Sequence, residues 1–260
     1  MAAVRTGDHP LVEARRLSKR FGTVQALVDV DFHVGRAEIV GLVGDNGAGK
    51  STLIKILTGV LAPDAGELYF NGRPIRLASP KAARALGIET VYQDLALVEQ
   101  MSIARNFFLG SEPTRRLGPI RLLDAATMQR DTERVLREIG ITTLRSAGQD
   151  VSVLSGGERQ AIAIGRTMHF GAKLIILDEP TSALSIKETA KVLDYIGQAK
   201  RRGLSVIFIT HNLYHVYPVS DRIVVLDHGR KVGDFARDAV SIDDLVSLIT
   251  IQRKDTRAPV

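Results

Sequence analysis

Residues 44–52 read GDNGAGKST, and Gly44, Gly49, Lys50 and Ser51 fit the spacing G-x-x-x-x-G-K-[ST]. Glycine lets backbone amides curl around oxyanions that a Cβ would obstruct. A helix opening behind the loop adds the partial positive charge of its N-terminus. In such a loop the backbone of Asp45, Asn46, Gly47, Ala48 and Gly49 cradles phosphates. Lys50 then reaches the β- and γ-phosphates, the Ser51 hydroxyl holds Mg²⁺, and Thr52 serves the α-phosphate. The bland alternative is a glycine-rich turn; the lysine, the serine and the flanking elements argue together against it. A second constellation is LIILDE, residues 174–179. Asp178 follows four apolar residues and is placed to bind Mg²⁺ directly or through water. Glu179 can orient and deprotonate an attacking water, a role that contributes about 10²–10⁴-fold in rate. Read without the loop, the pair could equally be surface acids where a strand meets the turn at Pro180.

A third stretch, LSGGERQ at 154–160, is also shaped to hold an anion. Ser155 and Glu158 form the capping box S-x-x-E. Behind them Ala161, Ile164, Gly165 and Met168 make an apolar stripe at helical spacing. A capped helix would need nothing more, yet Gly156 and Gly157 weaken its first turn. Glycine there clears the way for an approaching ligand, so the chain carries two phosphate-type sites.

The elements that position these groups follow from the patterning. Residues 11–35 alternate polar and apolar, as in FGTVQALVDVDFHV, which predicts antiparallel strands. EIVGLVG at 38–44 predicts a buried strand, and KSTLIKILTG a helix stopped by Gly59. GELYFNGRPIRL predicts a hairpin turning at Asn71-Gly72. From about 95 to 170 strand-like runs give way to helical spacing, as in 124–140 with Met128, Val135, Leu136 and Ile139 ahead of Gly140. This predicts a helical insertion. Strand signals return in KLIILDEP, LSVIFITHN and RIVVLDHGRKVG with helical spacing between them, hence a mostly parallel sheet. The expected fold is α/β: a P-loop core with a mostly parallel sheet, an N-terminal antiparallel β subdomain and an inserted α-helical subdomain. Residues 1–10 and 251–260 read as flexible tails.

Composition narrows the class. A 260-residue chain can bury a sizeable core, and no stretch approaches the roughly 18 apolar residues that span a bilayer. There is no cysteine, so neither a disulfide framework nor a thiolate metal site, and a cytosolic protein is the simplest reading. The net charge of +6 is scattered, and the longest basic run, residues 200–202, stops at Gly203 as a helix end does. No aromatic-interleaved basic stripe accompanies it, so no nucleic-acid partner is expected.

The loop at 44–52, then LSGGERQ, then LIILDE resembles the nucleotide-binding subunit of an ATP-binding cassette (ABC) transporter over roughly residues 11–250. The resemblance implies ATP and Mg²⁺ as cofactors. It also implies two copies packed head to tail, with ATP on one P-loop covered by Ser155 and Gly157 of the other. Position by position it implies that Phe21 stacks on adenine, that Gln93 contacts Mg²⁺ or the attacking water, and that His211 contacts the γ-phosphate. Phe21 could otherwise fill a strand face, and a lone histidine after a strand is usually structural. Many relatives carry aspartate at the end of SALS; this chain has Ser185, which removes a carboxylate from that point.

The wording of residues 79–110, with GIETVYQDLAL and NFFLG, is similar to carbohydrate importers of the ribose, xylose and fructose type. Many of those carry two cassettes where this chain has one. The implied setting is the cytoplasmic side of the cell membrane, held peripherally by transmembrane permease subunits that work with a solute-binding protein. The family's permease docks beside Gln93, where Leu95, Leu97, Val98, Phe107, Phe108 and Leu109 either fill the core or form a docking patch. A non-transport ABC ATPase acting on ribosomes or DNA is the alternative, but neither a basic linker nor a long coiled coil is present. A plain P-loop kinase or GTPase leaves LSGGERQ unexplained.

Overall fold

Alternation with a period of two decides the centre of the molecule. In the strand β3 (Ile39–Val43), Ile39 and Val43 enter one hydrophobic core while Val40 and Leu42 enter another on the opposite face. The computed structural model, which describes residues 9–141 and 146–255, repeats this division through the sheet around β3. A chain with both sheet faces buried must cover each with other elements, and the two coverings differ in kind.

One face is covered by an antiparallel sheet and two helices. β1 (Val12–Phe21) and β2 (Val24–Val34) pair antiparallel, as the alternation of residues 11–35 predicts. β4 (Ala65–Phe70) and β5 (Arg73–Ile75) form the predicted hairpin, and Asn71 and Gly72 both adopt positive φ in its turn. These strands lie in the order β2-β1-β4-β5. The helices α1 (Lys50–Leu57) and α2 (Pro80–Leu86) complete this layer, with Leu53, Ile54, Ile56 and Leu57 buried in it.

The opposite face is helical. Between β6 (Ile88–Val91) and β9 (Leu174–Asp178) run α3 (Ile103–Phe108), α4 (Ala125–Glu138) and α5 (Gly156–His169). Met128, Val135, Leu136 and Ile139 of the α4 region are all buried, as their spacing predicts. This stretch also holds something the spacing did not reveal: β7 (Thr114–Leu117) and β8 (Ile120–Leu123) form a separate hairpin. Ile120, Leu122 and Leu123 of β8 are all exposed, on both faces of the strand, so β8 leaves no alternating signature. The hairpin's turn residue Gly118 has φ +60°.

After β9 the chain alternates: α6 (Ile186–Arg201), β10 (Ser205–Ile209), α7 (Leu213–Val216), β11 (Arg222–Asp227), β12 (Arg230–Ala236) and α8 (Ile242–Asp255). The central sheet runs β12-β11-β3-β10-β9-β6, parallel except for the β11–β12 pair. The expected α/β architecture is therefore present, with one antiparallel sheet and one mostly parallel sheet. Of the expected tails, residues 1–8 and 256–260 lie outside the described residues, and α8 reaches Asp255. Among the described residues, no helix is long and apolar enough to cross a membrane.

Register then sets the level of the site. Ile209 of β10 lies opposite Asp178 on one side and Leu42 on the other. The carboxyl ends of β3, β10 and β9 therefore finish side by side, where open parallel sheets place their ligands.

Candidate functional site

The loop from Gly44 to Gly49 leaves the end of β3 and enters α1. Gly49 is the N-cap of that helix with φ +101°, and a Cβ there would meet the Ala26 carbonyl oxygen at 2.6 Å. Only glycine fits both constraints. It also leaves the helix without a side-chain cap, so the first amides of α1, at Lys50, Ser51 and Thr52, keep their donors for an external anion. The loop is fixed from behind: Gly229, in the β11–β12 turn, donates its N–H to Ala48 and accepts from Val28 of β2. Ala48 is buried, while Asn46, Gly47 and Ser51 face solvent. Lys50 Nζ donates to the carbonyls of Gly44 (2.8 Å) and Asp45 (2.9 Å). Burial lowers the pKa of Lys50, and the charges of Glu179, Asp45 and Asp178 oppose that shift.

Asp178 and Glu179 stand at the end of β9. Burial first, and the adjacent Glu179 second, raise the pKa of Asp178; Lys50 and Lys55 pull it down. A desolvated carboxylate beside another is a favourable site for a cation. Glu179 takes φ +50°, a conformation that costs a non-glycine residue on the order of 1 kcal/mol. Its side chain is over-determined in compensation. Oε2 accepts from the Thr210 hydroxyl at 2.9 Å. Oε1 accepts from the His211 backbone N–H at 3.0 Å and from His211 Nδ1 at 2.8 Å. A carboxylate offers only acceptors, so Nδ1 of His211 carries the proton. Neither Thr210 nor this clamp was foreseen from the sequence.

A second set of bonds holds the loop after β9 to the loop after β10. Asn212 Nδ2 donates to His215 Nε2 at 3.1 Å, which leaves Nδ1 to donate to the Thr181 hydroxyl at 3.0 Å. His215 thus joins the loop after Glu179 to the loop that bears His211. Only its position after a strand end hinted at this.

The remaining predicted residues are spread around the centre. Phe21 ends β1 and is 45% exposed, with Lys19 Nζ 5.7 Å from its ring centroid. A strand-face core residue would be buried, so the exposed ring is free to stack. Gln93 lies two residues beyond β6, exposed, and its side chain has no hydrogen-bond partner among the described residues. Of the apolar residues nearby, Phe107 and Phe108 are buried and Leu95 and Leu97 pack on the core, whereas Val98 is exposed with Tyr92.

Ser155 and Gly157 stand apart from the P-loop at the start of α5. Both halves of the capping box are made: Glu158 N–H donates to Ser155 Oγ, and Ser155 N–H to Glu158 Oε2. The glycines have a packing reason that the sequence did not disclose. A Cβ on Gly156 would meet Leu184 Cδ2 at 2.7 Å, and one on Gly157 would meet Glu188 Cβ at 3.1 Å. The Gly157 N–H donates to Glu188 Oε1 at 3.3 Å. Gly156 and Gly157 thus let the start of α6 lie close against α5.

Among the described residues no group of three or more His, Cys, Asp or Glu could hold a metal ion by itself. Asp178 and the Ser51 hydroxyl are hard oxygen donors, and Mg²⁺ is commonly held by one or two such groups with phosphate and water completing the shell. The donor set fits that ion.

The sequence profile of the ABC transporter family matches residues 27–182. The chain is 43% identical over 257 residues to the fructose import ATP-binding protein FrcA of Rhizobium meliloti, covering 97% of this chain and 98% of that protein. It is 42% identical over 240 residues to the xylose/arabinose import ATP-binding protein XylG of Sulfolobus acidocaldarius, covering 92% and 94%. The ribose import ATP-binding protein RbsA 2 of Burkholderia pseudomallei is 40% identical over 241 residues, and there the chain spans about half, 46%, of the relative. A nucleotide-free ATP-binding cassette from an ABC transporter superposes with a TM-score of 0.78 at 21% identity, covering 93% of this chain and 96% of that one. The ADP conformation of the cassette MJ1267 superposes equally, with a TM-score of 0.78 at 22% identity and coverage of 94% and 96%. An uncapped helix start, a clamped glutamate and this breadth of likeness converge on one assignment: the chain belongs to the ABC transporter family, among its ATP-binding, ATP-hydrolysing proteins.

Proposed function

We propose that this protein powers the import of a monosaccharide, working as a pair of copies beneath a membrane permease that a solute-binding protein supplies. The observation that carries the reading is the assembly at the ends of β3, β9 and β10, together with 43% identity to a fructose import protein along nearly the whole chain. In this reading the amides from Gly44 to Thr52 and the Lys50 ammonium hold the phosphates, and Phe21 stacks on the base. Ser51, Asp178 and Gln93 hold Mg²⁺, which when bound screens the phosphate charge. Glu179 takes the proton of the attacking water. Thr210 and His211 aim its carboxylate, and the His211 ring passes from Glu179 to the γ-phosphate when nucleotide enters. Ser155 and Gly157 serve the nucleotide of the second copy. A solved dimer of a related cassette, MJ0796 bound to ADP and phosphate, has this fold with a TM-score of 0.70 at 23% identity. Residues from about 95 to 170 form the helical unit that meets the permease, with Tyr92 and Val98 exposed beside Gln93 for that contact.

The test is uptake of labelled fructose, xylose and ribose by cells of the source organism lacking this gene. Loss of uptake of at least one sugar, restored by the wild-type gene and not by Lys50→Ala, is expected. Unchanged uptake of all monosaccharides would remove the transport assignment while leaving ATP hydrolysis intact.

A further inference from the structure

Glu188 sits where no reading of the sequence placed a functional group. It is the third residue of α6, in a capping box with Ser185: Ser185 Oγ donates to Glu188 Oε2 at 2.7 Å, and Ser185 N–H to the same oxygen at 3.0 Å. The other oxygen, Oε1, reaches across to the first turn of α5 and accepts from Gly157 N–H at 3.3 Å. Hydrogen bonds from Ser185, then from Gly157 and more weakly from Ser155, hold the Glu188 carboxyl down to about 2. The carboxylate is thus charged at any physiological pH. It rests on the amide of Gly157 and beside the hydroxyl of Ser155, the groups assigned above to a phosphate of the second copy.

Two anions cannot share one amide without cost. The N-terminus of a helix attracts negative charge, and a carboxylate from the same chain satisfies it as a phosphate would. A polyphosphate arriving there meets a like charge within the contact distance of its intended donors, and like-charge juxtaposition at an interface is unfavourable. The half-buried position leaves Oε1 able to swing away, since the Ser185 bonds hold Oε2 and not Oε1.

We propose that Glu188 is a positioning residue of the partner-facing phosphate site, its carboxylate occupying the α5 N-terminus of the lone chain and yielding it to the γ-phosphate presented by a second copy. It sets how much ATP is needed to close the pair. This inference rests on the two-copy reading.

The test uses the full chain carrying Glu179→Gln, which binds ATP without turning it over, and measures dimer formation against Mg-ATP by light scattering. Adding Glu188→Gln keeps a residue that can complete a capping box while removing the charge. The ATP concentration at half-maximal dimer should fall about threefold or more, the scale of a solvent-screened charge contact. Asp194→Asn, which removes one negative charge further along α6, should leave the midpoint unchanged. Thermal melting confirms that each variant is folded. An unchanged or raised midpoint for Glu188→Gln, or an equal fall for Asp194→Asn, overturns the role of Glu188. A Glu179→Gln parent that stays monomeric at saturating Mg-ATP overturns the two-copy reading, and this inference with it.

Discussion

At the scale of single residues, the proposed chemistry depends on how firmly Glu179 is aimed. Three donors reach its carboxylate, two of them from His211. The backbone N–H of His211 survives any substitution there, so truncating the ring removes one bond and leaves two. In the proposed mechanism His211→Ala should lower kcat by roughly 10²-fold, because the variant loses the ring that holds Glu179 before nucleotide enters and meets the γ-phosphate afterwards. Steady-state kinetics at saturating Mg²⁺ checks this; a large rise in KM with kcat preserved would assign His211 to ground-state binding instead. The placement of Lys50, Ser51, Asp178 and Glu179 at the ends of strands was legible in the sequence because each motif is a handful of consecutive residues with a strand before it. Thr210, His215 and Glu188 were not legible. Each acts through a partner about 30 positions away, Thr210 on Glu179, His215 on Thr181 and Glu188 on Gly157. Nothing in a short window specifies such a contact.

At the scale of elements, legibility followed burial. The β4–β5 hairpin announced itself through Asn71-Gly72 and α4 through its buried stripe, whereas β8, with Ile120, Leu122 and Leu123 all in water, left no pattern to read. Polar residues inside an apolar run are hidden in the same way. Asn106 reads as an interruption in α3, yet it is among the most buried polar residues of the chain. Its Oδ1 accepts from Val98 N–H at 2.7 Å, and its Nδ2 lies within bonding reach of the carbonyls of Val98 (2.9 Å), Met101 (3.1 Å) and Ser102 (3.2 Å). One side chain thereby braces the turn at residues 98–101 and anchors the C-terminal end of the loop that carries Gln93. Asn106→Leu fills similar space but leaves the part-buried Val98 N–H without its acceptor, while the carbonyls of Val98, Met101 and Ser102 keep their bonds from the backbone N–H groups of Met101, Val151 and residue 106. It should destabilise the protein by about 1–3 kcal/mol. It should also speed exchange of the Val98 amide far more than that of the buried β3 amides, which hydrogen exchange resolves residue by residue. Uniform acceleration across the chain would show that Asn106 serves global stability only.

At the scale of the whole molecule, the two sheets must hold still relative to each other, because the P-loop belongs to one and is braced by the other. Strand order was the least legible feature, since placing β3 between β10 and β11 requires contacts that no periodicity encodes. Arg222 is the polar bolt between the layers. From the start of β11 it donates to Glu38 Oε1 just before β3 (2.8 Å), to Asp234 Oδ1 in β12 (2.8 Å) and to the His33 carbonyl in β2 (2.6 Å). Its side chain is only 13% exposed. Removing it leaves the half-buried carboxylates of Glu38 and Asp234 with one partner each, Gly35 N–H and Lys231, and takes a donor from the His33 carbonyl, so Arg222→Ala should cost about 1.5–3 kcal/mol. Arg222→Lys should recover only part of this, because a single ammonium cannot span three acceptors with the geometry of a guanidinium fork. Acid titration separates lost pairing from lost packing. Burial pushes the Asp234 carboxyl up, but the hydrogen bonds of Arg222 and Lys231 outweigh it and leave the group below its ordinary 3.8. A carboxylate depressed in the folded state contributes stability that is complete above its unfolded value and is lost as pH falls through the folded one. The wild-type melting temperature should therefore drop below about pH 4, and that part of the drop should shrink in Arg222→Ala, where Asp234 keeps only Lys231. Parallel curves displaced by a constant amount would mean that Arg222 stabilises by filling space, and that the two sheets are joined by packing alone.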